Sequence, residues 1–135
     1  MSPILLDTHV ALWSALGKLK PVAARAIAAA SARSALLLSP ISAWEIGLLA
    51  AKGRIELSVG VEETVRRMFA SPGIVTAQFS PPIAVAAASM KDMHADPADR
   101  ILVATAAAYG AALMTRDEVI HAYAKATKHI RCITC

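Results

Sequence analysis

Aromatic residues are scarce in this chain. Only 4% of its 135 residues are Phe, Trp or Tyr, two of each. A core must therefore be assembled from aliphatic side chains and alanine, and alanine-rich segments with scattered Leu, Ile and Val favour packed helices. Long hydrophobic runs are absent too, although 56% of the residues are hydrophobic. Arg25 breaks the first candidate, Lys91 and Asp92 close the later one, and neither reaches the ~18 to 20 residues that a membrane span requires. The N-terminus has no basic segment and Asp7 interrupts its apolar stretch, which argues against a signal peptide. Cysteine is limited to Cys132 and Cys135. With His129 upstream they resemble a metal or redox motif, but a zinc site needs a fourth ligand and a redox C-x-x-C opens a helix near a strand. We expect reduced, incidental thiols in a cytoplasmic protein with no membrane contact.

Several nucleotide and metal motifs are also missing. No G-x-x-x-x-G-K-[ST] and no G-x-G-x-x-G occurs, which excludes a P-loop NTPase and argues against dinucleotide binding. Asp7-Thr8-His9 lacks the D-x-D of an aspartyl-phosphate phosphatase, and the acid and lysine set of a receiver domain is not found. His9, His94, His121 and His129 have no metal-ligand spacing and are read as structural.

What is present is an alternation of short apolar runs and helical patterns. Ile4-Leu5-Leu6, Leu36-Leu37-Leu38, residues 74–77 and residues 112–115 read as strands, with a possible edge strand at residues 130–134. Continuous rather than alternating apolar runs suit strands covered on both faces. Helical patterns occupy residues 8–17, 22–32, 41–52, 61–70, 81–91, 98–109 and 116–126. Ser39-Pro40 and Asp96-Pro97 each supply a cap followed by proline at the first helical position. The pattern predicts an α/β fold, a parallel sheet of four to five strands in one domain spanning residues 1–135.

The ten acids are unevenly employed. Glu62 and Glu63 open a helix that Arg66 and Arg67 close, an order that complements the helix dipole and reads as a solvated face. Four others stand apart. Asp7 follows the first strand, where open α/β sheets place ligands, although it could also cap the next helix. Asp117 follows the strand ending near Thr115. Glu45 lies on a stripe with Ile41, Trp44, Leu48 and Leu49, too deep to cap a helix started by Ser39. Asp99 shares a stripe with Leu102, Val103 and Ala106; it is either a reciprocal cap for Asp96 or a buried carboxylate in need of a cation. Capping explains any one of these acids but not four at one sheet edge. Clustered carboxylates suit Mg²⁺ or Mn²⁺, which prefer oxygen ligands. One or two such ions activate water, orient a phosphodiester and stabilise the leaving oxygen.

Four segments taken in order, Leu5-Leu6-Asp7-Thr8-His9, Ser39-Pro40-Ile41-Ser42-Ala43-Trp44-Glu45-Ile46, His94-Ala95-Asp96-Pro97-Ala98-Asp99-Arg100 and Thr115-Arg116-Asp117, resemble the PIN-domain family, and within it the small VapC-type toxins of type II toxin–antitoxin pairs. The resemblance implies a three-layer α/β/α sandwich with the first strand central. It implies a Mg²⁺- or Mn²⁺-dependent endoribonuclease using one or two ions. Asp7, Glu45, Asp99 and Asp117 would be its catalytic acids, Asp7, Asp99 and Asp117 its metal ligands, and Thr8 and Thr115 its supporting hydroxyls. It also implies a homodimer silenced by a cognate antitoxin. The C-terminal C-x-x-C is not part of the pattern. Net charge is +4 from 14 basic and ten acidic residues. Setting the four acids aside leaves six, so the site would be a negative pit in a basic surface suited to an RNA backbone. Arg100 and Arg116 adjoin quartet acids and either reach a phosphate or pair with those acids. The alternative reading is an RNA- or antitoxin-binding module of the same fold with negligible catalysis.

Overall fold

The computed structural model describes every residue except Met1, Asp92, His94 and Ala95, so the readings of His94 and Asp92 lie outside the described residues. Among the described residues there are five strands, β1 (Ile4–Leu6), β2 (Leu36–Leu38), β3 (Ile74–Thr76), β4 (Ala112–Met114) and β5 (Arg131–Ile133). The seven helices are α1 (Thr8–Ala15), α2 (Pro21–Ala32), α3 (Pro40–Ala51), α4 (Val61–Phe69), α5 (Pro81–Ala88), α6 (Pro97–Tyr109) and α7 (Glu118–Thr127).

The strands form one parallel sheet in the order β3-β2-β1-β4-β5. Parallel neighbours need crossover connections, and each crossover here carries helix. A strand covered on both faces must be apolar at every position. β1, β2 and β4 meet that demand, since all their residues are buried. The edge strands β3 and β5 carry half-buried or exposed positions instead.

The pleat divides the apolar side chains between two cores. Leu5, flanked in register by Leu37 and Leu113, faces the core built with α5, α6 and α7. Ile4, Leu6, Leu36, Leu38 and Met114 face the opposite core, built with α1, α2, α3 and α4. The result is a three-layer α/β/α sandwich. Removing the fully buried Leu5 side chain would cost about 2–5 kcal/mol.

The chain proceeds outward from β1 through β2 to β3, then crosses to the other side of β1 to add β4 and β5. That reversal opens a crevice between the carboxyl ends of β1 and β4, where open α/β sheets bind ligands. Asp7 and Thr115 are the residues that follow these two strands.

Helix ends differ from the expected ones by a few residues. α1 stops at Ala15 because Gly17 turns into the left-handed region at φ 69°. α7 starts at Glu118 because Asp117 caps it, accepting from the N–H groups of Val119 and Ile120 at 2.8 and 3.1 Å. The cysteines sit apart in the packing: Cys132 lies against the core of α5–α7, whereas the buried Cys135 belongs to the opposite one. Both are free thiols, and burial pushes that of Cys132 up.

Candidate functional site

Each of the four acids arrives on an element whose local chemistry fixes its place. Asp7 is at the end of the central strand, its N–H bonded to the Met114 carbonyl at 3.0 Å. It also caps α1, with Oδ1 accepting from Thr8 N–H at 2.7 Å. The cap and the site residue are thus the same side chain, which still has Oδ2 to use. Thr115, fully buried, donates its hydroxyl to that oxygen at 2.6 Å and accepts the Asp117 N–H at 3.0 Å. One hydroxyl therefore links the two strand-end acids.

Glu45 and Asp99 come in from α3 and α6. Ser39 caps α3 through the Ile41 N–H at 3.1 Å and Pro40 takes the first helical position. Glu45 is left in the second turn, pointing inward. Its Oε1 accepts the buried Thr8 hydroxyl at 2.5 Å, and Thr8 also contacts the Ser42 hydroxyl at 2.9 Å. A threonine has one proton to give and a carboxylate can only accept, so Thr8 donates to Glu45 and accepts from Ser42. Asp96 caps α6 through the Ala98 N–H at 2.9 Å, leaving Asp99 in the first turn. Among the described residues the Asp99 carboxylate accepts no hydrogen bond, so the reciprocal-cap alternative is not what forms.

The acids perturb one another. Asp99 is pushed up to about 7, first by burial and then by the charges of Asp96, Asp117, Asp7 and Glu45. Burial also raises Asp7; hydrogen bonds from Thr115 and Thr8 and the nearby His9 oppose that, and Asp117 adds to it. Glu45 is raised by burial, against the Thr8 bond, with Asp7 and Asp96 adding to the rise. His9 offsets part of this crowding at Asp7 and Glu45, but among the described residues no lysine or arginine pairs with any of the four acids: the ion pairs are those of Glu63 with Arg66 and Arg67, on α4. Arg100 instead donates to the carbonyls of Met90 and Met93 at 2.9 to 3.0 Å. Arg116 donates to the Cys135 carbonyl at 3.0 Å and lies over the Trp13 ring, 4.2 Å from its centroid. Neither arginine neutralises the acid beside it.

This donor set suits a hard divalent cation: it is all-oxygen and negatively charged, and burial followed by mutual repulsion raises Asp7, Glu45 and Asp99. Among the described residues no three carboxyl, thiol or imidazole groups already converge as a ready ligand cage. Mg²⁺ does not require one, because it keeps several waters and is commonly held by one or two carboxylates.

Two residues beside the acids, Ser42 and His9, escaped the sequence reading. Ser42 looked like a false capping-box serine; its signal was a small polar residue one turn before Glu45 on an otherwise apolar face. His9 is exposed rather than structural, and its ring meets that of Trp13 at 5.7 Å with a 43° tilt. Their i, i+4 spacing on α1 was the available clue. His121 and His129 are structural as expected, bonded to the Thr115 carbonyl and the Tyr123 hydroxyl at 2.8 and 2.7 Å.

A parallel sheet with this strand order, carrying acids at the carboxyl ends of its inner strands, defines a class. The PIN domain profile matches residues 4–126, and the chain belongs to the PIN-domain family. Within the family it is similar to ribonuclease VapC22 of Mycobacterium tuberculosis, with 31% identity over 99% of this chain and 98% of that protein. Its fold is similar to VapBC2 from Rickettsia felis bound to a promoter DNA fragment, at TM-score 0.69 and 12% identity over 97% of both chains. DNA-bound VapBC from Salmonella typhimurium matches at TM-score 0.69 and 17% identity, covering 99% of this chain and 98% of that one. Among the described residues no helix is long and apolar enough to cross a membrane.

Proposed function

We propose that this chain is a VapC-type endoribonuclease, the toxin of a toxin–antitoxin pair, acting as one PIN-like unit over residues 1–135 in the cytoplasm. The observation that carries the reading is the carboxylate group at the β1–β4 crevice, with two buried threonines holding Asp7 and Glu45 and, among the described residues, no ion pair to any of the four acids. The kinship with a ribonuclease supports RNA as substrate.

In this reading Asp7, Asp99 and Asp117 hold one or two Mg²⁺ or Mn²⁺ ions. Such ions, when bound, lower the pKa of water and stabilise charge on a phosphodiester and its leaving oxygen. Asp7 is pinned by Thr115 and by the Thr8 N–H, so it meets a ligand in a single orientation. Glu45 is aimed by Thr8 and is the group best placed to orient the attacking water and take its proton. Raised carboxyl pKa values bring these groups nearer to neutral pH, where a general base works best. The basic remainder of the surface attracts the RNA backbone.

The test is cleavage of RNA by the purified protein with Mn²⁺, with EDTA, and by Asp7→Asn. Cutting that requires the ion and fails in the variant supports the reading. Full activity in EDTA or in Asp7→Asn overturns it, and tight RNA binding without cutting would make the protein a binding module. The neighbouring VapBC structures support a cognate antitoxin as partner, checked by co-purification with the product of an adjacent small reading frame. A homodimer is checked by light scattering.

A further inference from the structure

Beside the acids lies a second feature that the hydrolytic chemistry does not use. A cavity of about 330 Å³ is lined by Asp7, His9, Val10, Trp13, Arg116 and Asp117. Its floor is shared with the acidic centre, and its other wall is aromatic and cationic. We propose that His9, Trp13 and Arg116 form a nucleotide subsite, which holds the RNA residue next to the scissile phosphodiester; this rests on the ribonuclease reading of the same crevice.

Arg116 carries most of the argument. It is adjacent in sequence to Asp117 and close to a site crowded with negative charge, yet among the described residues it pairs with no acidic side chain. Its Nε is committed to the Cys135 carbonyl, and its guanidinium lies over the Trp13 indole. A guanidinium stacked on an aromatic face and tethered through Nε is already ordered, so little rotamer entropy remains to be lost on binding. Among the described residues its terminal nitrogens have no hydrogen-bond partner. Those donors form the planar fork that suits a phosphate.

The base would use the other wall. His9 and Trp13 are one turn apart on α1, and the tilt between their rings leaves the exposed imidazole unstacked. Bases of single-stranded RNA stack on such aromatic faces irrespective of sequence. The position also fits the task. Asp7 belongs to both the cavity and the acid cluster, so a nucleotide seated here presents its phosphodiester to the carboxylates, and the cationic fork offsets the repulsion between that phosphate and the acids.

The experiment uses the intact chain and a short single-stranded RNA oligonucleotide of random sequence. Binding is measured in EDTA, where cleavage is blocked, and KM and kcat are measured with Mn²⁺. Arg116→Ala is expected to weaken binding and raise KM roughly tenfold and to flatten the salt dependence by roughly 0.7 in log–log slope, the amount for one lost phosphate contact on a single strand. Arg116→Lys should restore the salt slope but not the affinity, because an ammonium neither forks nor stacks. His9→Ala should weaken binding roughly fivefold through lost stacking alone, with the salt slope unchanged. Trp13 and Trp44 are the chain's two tryptophans, so in a Trp44→Phe background the RNA should quench Trp13 fluorescence.

If Arg116→Ala and His9→Ala lower thermal stability but leave RNA affinity, KM and salt slope unchanged, Arg116 is only a staple between α1 and the Cys135 carbonyl, and the proposal falls. If they weaken the antitoxin and not the RNA, the surface is a protein contact and the proposal falls likewise. Activity of Asp7→Asn reports separately on the ribonuclease reading, so the two failures are distinguishable.

Discussion

Glu63 on α4 and Asp99 on α6 both sit in the first turn of a helix, yet their carboxyl groups lie at opposite extremes. Glu63 is held down to about 2, chiefly by its hydrogen bonds to Arg66 and Arg67, one turn further along a solvent-facing helix. Asp99 is pushed up to about 7 by burial and by four other carboxylates. The helix dipole favours both anions, so it does not separate them. What does is the company each keeps. An acid that finds its own cation is finished as structure, whereas acids packed together without one leave a binding demand that the protein itself does not meet.

The largest effect should come from the acid at the centre of that demand. Asp7→Asn is expected to lower RNA cleavage by roughly two to three orders of magnitude, the range seen on losing one group that stabilises developing charge. The fold should persist, as judged by circular dichroism, because asparagine can still cap α1.

Next come the hydroxyls. Thr115→Val removes a hydrogen bond to a charged group and leaves the Asp117 N–H without its acceptor, at a cost of about 2 kcal/mol. Thr8→Val should push Glu45 higher still and move the acid limb of the pH–rate profile upward. Urea melts and pH–rate measurements check both, and an unmoved limb would mean Glu45 takes no part in proton transfer.

Asp99 offers a test of sign. Its carboxyl is raised from 3.8 to about 7 on folding, so between those values the folded state binds more protons than the unfolded one. Stability of the metal-free protein should fall as pH rises through that window. Asp99→Asn should therefore stabilise the metal-free protein at neutral pH, by about 1 kcal/mol once solvent screening of a half-exposed group is allowed for. The gain in Tm from added Mn²⁺ should grow across the same window, since binding displaces the proton, and should shrink in the variant. Thermal melts at several pH values decide this.

The smallest effect belongs to the other side of the comparison. Glu63→Gln should leave cleavage and metal-dependent stabilisation unchanged and shift Tm only slightly, and less so at high salt.

Much of this was legible from local pattern. Leu36-Leu37-Leu38 could be placed as a buried strand because a strand covered on both faces has no polar position to confuse it. Ser39-Pro40 set the start of α3, and that alone put Glu45 too deep to be a cap. Less legible was anything requiring two elements at once. The resemblance marked Thr8 as a supporting hydroxyl, but not which groups it would meet; α3 brings Glu45 and Ser42 to it, 37 and 34 residues away in sequence. Thr115 reaches Asp7 across 108 residues. Arg116 offered a choice between phosphate and acid that spacing could not make; its partners are an indole from α1 and a carbonyl beyond β5.

The sequence by itself determined the alternation of strands and helices, the four acids whose number and placement capping alone does not explain, and the family to which they belong. Periodicity, caps and prolines act over a few residues, and a short-range signal is readable along the chain. Only the tertiary structure decided which hydroxyl holds which carboxylate, how far burial and mutual repulsion raise Asp99, and that His9, Trp13 and Arg116 share a wall beside Asp7. Those outcomes depend on the crossing from β3 back to β4, which sets Asp7 after β1 beside Thr115, Arg116 and Asp117 after β4, and on desolvation, which exists only once the three layers have closed.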